Sequence, residues 1–347
     1  MTAREFQRAT VARTMPLEIE RDEPGAGRTV LPARPPNAAG EIRLKLDAQV
    51  FAIDAGDVSR RIERFIAEAM TTLRRDGVVV PISGGLDSST VVTLATRAVG
   101  AGRVTGLMMP EKQGNPEAAR YGAMIAGRLG IATKTVDLSP LLAKAGTYDF
   151  VLSRIPGRAV REKAVKGYFA LARRNPYLQG IRGERPPLFG KGFATMNSKH
   201  RMRLAMEYRF AEEKNLLVVG CAHRSEDLVG LFVKYGVDDC ADVMPLKNLY
   251  RSHILQVARH VGVPGEIIGR PPNPDIIPGV TDKYFDVLGI PSETVDLILF
   301  GLVEAKMTCE EVAKELGLPP GQAEEVQEIV ELTAHMRTHS MAPDLPL

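Results

Sequence analysis

Apolar residues along this chain follow two rhythms that alternate. Val78, Val79 and Val80 run into Ile82 as in a buried strand, and the run stops at Ser83-Gly84-Gly85-Leu86-Asp87-Ser88-Ser89. Beyond Ser88, the apolar positions Val91, Val92, Leu94, Ala95 and Ala98 recur with a helical period until Gly100 ends them. The alternation then repeats. Arg103–Met109 reads as a second strand, and Asn115-Pro116-Glu117 opens a helix with a cap, a proline and an early acid. Thr133–Leu138 is predicted as a third strand, Asn197–Lys214 as a helix, Leu216–Gly220 as a fourth strand and Arg251–Val261 as a further helix. Ahead of the first strand, Val58, Ile62, Phe65, Ile66, Ala69 and Leu73 form the apolar stripe of a helix over 56–75, with Asp57 or Ser59 as its cap. Residues 291–336 read as two or three helices. Strands separated by helices of this length predict an α/β fold. Its core is a doubly wound parallel sheet with right-handed crossovers, followed by a helical C-terminal part. The active site is then expected at the C-terminal ends of the strands.

Three stretches break the rhythm. Residues 1–45, rich in Arg, Pro, Gly and Ala, predict an extended or disordered arm, which leaves 46–347 as a single domain. The segment 143–196 reads as an irregular insertion, and between Arg154 and Lys199 eleven Lys and Arg face only Glu162 and Glu184. It is either a solvated helix face with a loop or a flap that attracts a polyanion. Nucleic-acid binding has no motif support there. Residues 264–290, PGEIIGRPPNPDIIPGVTD and its flanks, predict a long functional loop.

Composition narrows the class. The chain has 347 residues and 44% hydrophobic content, enough for a real core. No apolar run approaches the ~20 residues of a membrane span, and the N-terminus has no signal core. Cys221, Cys240 and Cys309 cannot all pair and form no zinc-spaced set, which suits a reducing cytoplasm. The net charge of +3 excludes a chain that is a nucleic-acid magnet as a whole.

The strand–turn–helix at 78–100 is the candidate chemistry. Two adjacent glycines let the backbone bring its N–H groups against a ligand, and the helix start adds unpaired donors and a positive dipole end. Ser83, Ser88 and Ser89 add hydroxyls. Asp87 suits an anion site once Mg²⁺ stands between it and phosphates. The spacing is neither that of a Walker A loop nor that of a dinucleotide GxGxxG loop.

SGGLDSS resembles the pyrophosphate loop of the ATP pyrophosphatases, which cleave ATP between the α- and β-phosphates and adenylate a carboxylate or an amide oxygen. VVGCAHRSE, FVKYG, ADVMPLKNLYR, VPGEIIGRPPNPDIIPGVTD, LGI and AHMR follow in the order and spacing of NAD⁺ synthetase, so that residues 55–343 resemble this family. The resemblance implies ATP-dependent amidation of nicotinic acid adenine dinucleotide through an acyl-adenylate. ATP is the co-substrate, Mg²⁺ the metal and ammonia the nitrogen source, free or supplied by a separate glutaminase. It also implies a homodimer with active sites close to the subunit contact.

Carried over residue by residue, the resemblance makes Ser83, Gly84, Gly85, Leu86, Asp87, Ser88 and Ser89 the ATP loop, with Asp87, Ser83 and Ser88 catalytic. Met108, Cys221, Arg251 and Asn273 join the ATP site, and Asp87 and Glu226 are the metal ligands. Arg201, Lys234, Asp242, Asp275, Thr281, Asp282 and His335 fall to the dinucleotide. The departures cluster where adenosine and the acid substrate are expected to sit. Thr-Gly-Asn is Cys221-Ala222-His223 here, the ATP-contacting lysine is Arg251, QTDE is Val280-Thr281-Asp282-Lys283, and His-Lys is His335-Met336. They leave open an amide ligase for a different carboxylic acid.

Overall fold

The computed structural model describes residues 45–150, 154–155, 157–171, 176–184, 187–273 and 280–338. The arm expected at 1–45 therefore lies, but for Lys45, outside the described residues. Strands β1 (Gly77–Pro81), β2 (Val104–Met108), β3 (Ala132–Thr135) and β4 (Leu216–Val218) form a parallel sheet in the order β3-β2-β1-β4. Val79 lies between Thr105 of β2 and Val218 of β4. β1 is central and reads as an unbroken Val run because both of its faces are covered. β3 is the edge, and its Thr and Lys residues are all exposed.

The two faces carry different partners. Val78, Val80 and Leu217 pack on α1 (Ala55–Thr72), α2 (Leu86–Val99) and α6 (Arg251–His260) through Ile62, Ile66, Val91, Leu94, Ile254 and Val257. Val79, Leu107 and Val218 pack the opposite way, on Leu138, Leu142, Tyr148 and Ala211 of α4 (Pro187–Lys214). Helix α3 (Pro116–Leu129) links β2 to β3. The short α5 (Arg224–Leu228) follows β4, and α7 (Phe285–Leu288), α8 (Ser292–Leu299), α9 (Cys309–Leu316) and α10 (Gln322–Leu332) form the helical C-terminal part. That part has its own core of Tyr284, Val295, Ile298, Leu299, Val312, Val326 and Ile329.

Two expectations are corrected. Helix α1 is capped by neither Asp57 nor Ser59: the Asp54 carboxylate accepts from the Asp57 N–H at 2.9 Å, and Ser59 donates to the Ala55 carbonyl. The cap lies one turn earlier because the chain enters the helix from a 3₁₀ turn at Ala48–Phe51. The middle segment is also more regular than its sequence. Its described residues hold helices at Arg158–Leu171 and Pro176–Ile181, and α4 begins at Pro187 rather than 197. The first half of α4 lacks an apolar stripe, so periodicity could not announce it. Tertiary contacts hold it instead: Lys199 pairs with Glu111 at 2.7 Å and Ser198 bonds Thr147 at 3.0 Å. Among the described residues, no helix is long and apolar enough to cross a membrane.

Candidate active site

The site grows from the C-terminal ends of β1 and β4, where the strand order reverses and connections leave in opposite directions. Past β1 the backbone turns at Gly84 with φ +69°. A Cβ there would sit 2.6 Å from the Tyr121 Cβ and 2.8 Å from the Ala118 carbonyl oxygen, so both conformation and space demand glycine. The Ser83 N–H donates to the Ser88 Oγ at 3.3 Å, and the two hydroxyls are 3.0 Å apart. These bonds close the turn over the start of α2, whose first N–H groups have no partner within the helix ladder.

Past β4 the chain delivers a second set. His223 precedes α5 and is fully buried. Its Nε2 lies 3.9 Å from Asp87 Oδ1 and 3.5 Å from Glu226 Oε1. Lys283, from the loop before α7, makes an ion pair with Glu226. Arg251 opens α6, with 5% of its surface exposed, and its backbone N–H donates to Ser225 Oγ at 3.0 Å. Ser225 donates in turn to Asp296 of α8, which also accepts from the N–H and hydroxyl of Ser252. This serine–aspartate network locks α5, α6 and α8 together behind the site.

Burial by itself would raise the Asp87 carboxyl, but the positive charges around it, His223 when protonated, Arg251 and Lys283, hold it below the usual carboxylate range. Burial drives His223 down to about 3, so the imidazole is neutral at pH 7 and the standing cations beside Asp87 are Arg251 and Lys283. Asp87 Oδ1, Ser89 Oγ, both His223 nitrogens and Arg251 Nε are buried without a hydrogen-bond partner. So many unsatisfied polar atoms around one point mark a place built for an ion. Asp87, His223 and Glu226 offer ligand atoms within 4.8 Å of one another. Two carboxylates facing phosphate-sized space suit a hard cation such as Mg²⁺, so the residues fit the metal that the resemblance implies.

A cavity of about 600 Å³ opens in front of this cluster, a size proper to a small-molecule site. Of the residues expected in the ATP and metal sites, Ser83, Gly85, Leu86, Asp87, Ser88, Met108, Cys221, Glu226, Arg251 and Asn273 line it. Gly84 and Ser89 shape the turn from behind. The described residues expected to hold the dinucleotide do not line the cavity. Arg201 donates to the Lys234 carbonyl, and the Lys234 ammonium donates to the His335 carbonyl at 2.8 Å, so these three gather at the surface. Asp242 accepts from the Val218 N–H at 2.9 Å and from the Tyr208 hydroxyl, tying off the end of β4. Thr281 and Asp282 organise the turn into α7: Asp286 accepts from both of their N–H groups, and Asp282 caps Tyr284 and Phe285. Asp275 lies outside the described residues.

Cys221 faces the cavity as a thiol: burial, reinforced by Glu207, Asp87 and Asp238, pushes it far above its ordinary value and favours the protonated form. Sequence reasoning missed Arg270, whose guanidinium donates to the Gly84 carbonyl at 2.7 Å and stacks on Tyr121. It also missed Lys112, His200 and Arg203 on the cavity wall. Lys283 had a signal, as a lysine where the family pattern has an acid.

The comparisons fit this geometry. The family described as NAD synthase matches residues 58–154 and 175–340. The chain is 37% identical to an "NH(3)-dependent NAD(+) synthetase" of Coprothermobacter proteolyticus over 264 residues, 73% of this chain and 86% of the relative. It is 32% identical to the protein of the same description from Thermotoga maritima, over 79% of this chain and 94% of the relative. Among solved structures, the NH3-dependent NAD synthetase of Campylobacter jejuni shares the fold at a TM-score of 0.58 and 20% identity, over 84% of this chain and all of that one. From the glycine turn to the two strand-end carboxylates, and by sequence over most of its length, the chain belongs to the NAD synthase family.

Proposed function

We propose that this protein converts nicotinic acid adenine dinucleotide, ATP and ammonia into NAD⁺, AMP and pyrophosphate. The observation that carries the reading is the meeting of the Ser83–Ser89 turn and the Asp87–Glu226 carboxylates at one end of a 600 Å³ cavity. The N–H groups of the turn and of the α2 start receive the departing pyrophosphate, with Ser83 and Ser88 adding hydroxyl donors. Asp87 and Glu226 would hold Mg²⁺, which neutralises phosphate charge there. Arg251, buried and bearing electrostatically on Asp87, contributes a fixed positive charge to the phosphate end. The nicotinate carboxylate oxygen bonds to the α-phosphorus as the bond to pyrophosphate breaks. Ammonia then adds to the acyl carbon, AMP departs, and one proton is released. No side-chain nucleophile takes part, which agrees with a protonated Cys221. The chemistry rests on positioning and charge, and on shielding the adenylate from water.

The nitrogen donor is ammonia, as relatives named NH3-dependent suggest; it arrives free or from a separate glutaminase. We assign the enzyme to the cytoplasm and to a homodimer. Arg201, Lys234 and His335 cluster at the surface outside the cavity, where a second copy would complete a dinucleotide site; sedimentation would read the dimer directly. The decisive assay measures AMP and pyrophosphate from ATP, Mg²⁺ and ammonium with and without the dinucleotide. Stimulation together with appearance of NAD⁺ supports the reading. ATP binding with no response to the dinucleotide moves the assignment to an amide ligase for another acid.

A further inference from the structure

Lys283 has a place in this site that the reaction scheme does not use. It lies in the turn Val280-Thr281-Asp282-Lys283-Tyr284, and that turn is held from both sides. Asp286 accepts from the N–H groups of Thr281 and Asp282, at 2.6 and 3.0 Å. Asp282 accepts from Tyr284 and Phe285, at 2.9 and 3.0 Å. Tyr284 is wholly buried in the C-terminal core. With the backbone pinned so, the lysine side chain extends into the cavity and its ammonium lands on Glu226. Only 12% of the Lys283 side chain and 11% of the Glu226 side chain are exposed. The Lys283 charge also bears on Asp87. The ammonium therefore stands at the carboxylates that fit a divalent cation.

A buried carboxylate pair is costly without a counter-charge. Here the chain supplies its own. We propose that Lys283 is the resident counter-ion of the Asp87–Glu226 site, that it excludes a divalent cation presented alone, and that it passes to the polyphosphate when metal and ATP enter together. In that exchange the Lys283 ammonium would leave Glu226 for a phosphate oxygen, and Asp87 and Glu226 would be free to hold the divalent cation. Lys283 thus couples metal entry to nucleotide entry and becomes a phosphate-contacting residue. The inference rests on the assignment of Asp87 and Glu226 as metal ligands made above.

The test is Mn²⁺ binding to the full-length, nucleotide-free protein, read by the loss of free-ion electron paramagnetic resonance signal. No acid substrate is present, so the result is independent of whether NAD⁺ is made. Wild type and Lys283→Arg are expected to bind Mn²⁺ weakly, and Lys283→Gln at least tenfold more tightly. Lys283→Gln is also expected to melt lower than wild type in chelator and to recover on adding Mn²⁺, while wild type responds little. Equal Mn²⁺ affinity in wild type and Lys283→Gln overturns the proposal, as does the absence of binding in both. Should Lys283→Gln fail to fold, wild type decides alone. A non-hydrolysable ATP analogue must raise its Mn²⁺ retention at least tenfold over that of protein or analogue separately, and tight binding without nucleotide overturns the idea.

Discussion

The Arg270 guanidinium donates to the carbonyl oxygen of Gly84 at 2.7 Å, across 186 residues of sequence. The bond ties the loop after α6 to the glycine turn for which a pyrophosphate role is proposed, and Tyr121 supports it by stacking beneath the guanidinium. Arg270→Ala is predicted to weaken ATP binding about tenfold, with a smaller effect on the turnover rate. Such a loss corresponds to about 1.4 kcal/mol, within the usual worth of a charged hydrogen bond. Lys in place of Arg cannot both stack and reach the carbonyl, so Arg270→Lys should recover only part of it. Steady-state kinetics with ATP as the varied substrate checks this, and an unchanged KM would refute the tie.

Asp87→Ala is expected to abolish ATP turnover, by about 100-fold or more, while the protein stays folded. The carboxylate stands at the start of α2, where the helix is held by Val91, Val92 and Leu94 and not by Asp87. Circular dichroism and AMP release on the same sample separate the two effects. Undiminished AMP formation would remove Asp87 from the site.

Gly84→Ala should be among the most damaging single changes in the turn. The left-handed backbone costs an L-residue of order 1 kcal/mol, and the contact at 2.6 Å with the Tyr121 Cβ adds overpacking of roughly 1–3 kcal/mol. Loss of ATP binding with a lowered Tm is expected. A fully active, equally stable variant would show that the turn relaxes freely.

Asp296 sits behind the site with no exposed surface and three hydrogen-bond donors. Burial raises its carboxyl to about 6 despite the bonds from Ser225 and Ser252. Asp296→Ala leaves those donors unsatisfied and is predicted to destabilise the fold by about 3 kcal/mol. Activity should fall too, because Arg251 takes its position from Ser225. Urea denaturation measures the first effect and kinetics the second.

His253 gives a pH dependence of known sign. Its neutral ring accepts from the Tyr250 N–H at 3.2 Å and lies edge-on to Phe51. Burial lowers it to about 4, with Glu304 opposing. An unfolded histidine titrates near 6.5, so between those values the unfolded chain binds more protons than the folded one. The stabilisation is complete above pH ~6.5 and is lost as pH falls toward 4, by about 1.4 kcal/mol per pH unit. In His253→Gln, stability measured across that range should fall less steeply with acid than in wild type. Identical slopes would mean the ring titrates normally in the folded state.

Much of the fold was legible in the sequence by itself. The unbroken, β-branched Val78–Val80 run read as a buried strand, and the helical period after Ser88 as the helix that follows it. Between them, two glycines and three serines announced an anion turn. These are local properties, written in neighbouring residues. Asp87 was legible as a candidate metal ligand from the turn itself, and Glu226 through the resemblance to the family.

What tertiary structure decided is which distant side chains share that space. No periodicity brings Lys283 to Glu226 or Arg270 to Gly84, because both contacts depend on how the C-terminal loops fold back over the sheet. The same folding kept Asp242, Thr281 and Asp282 at structural tasks and left Arg201, Lys234 and His335 outside the cavity. Charge, too, is a property of the assembled site. His223 is neutral at pH 7 and Cys221 protonated because burial withholds the water that would solvate their charged forms.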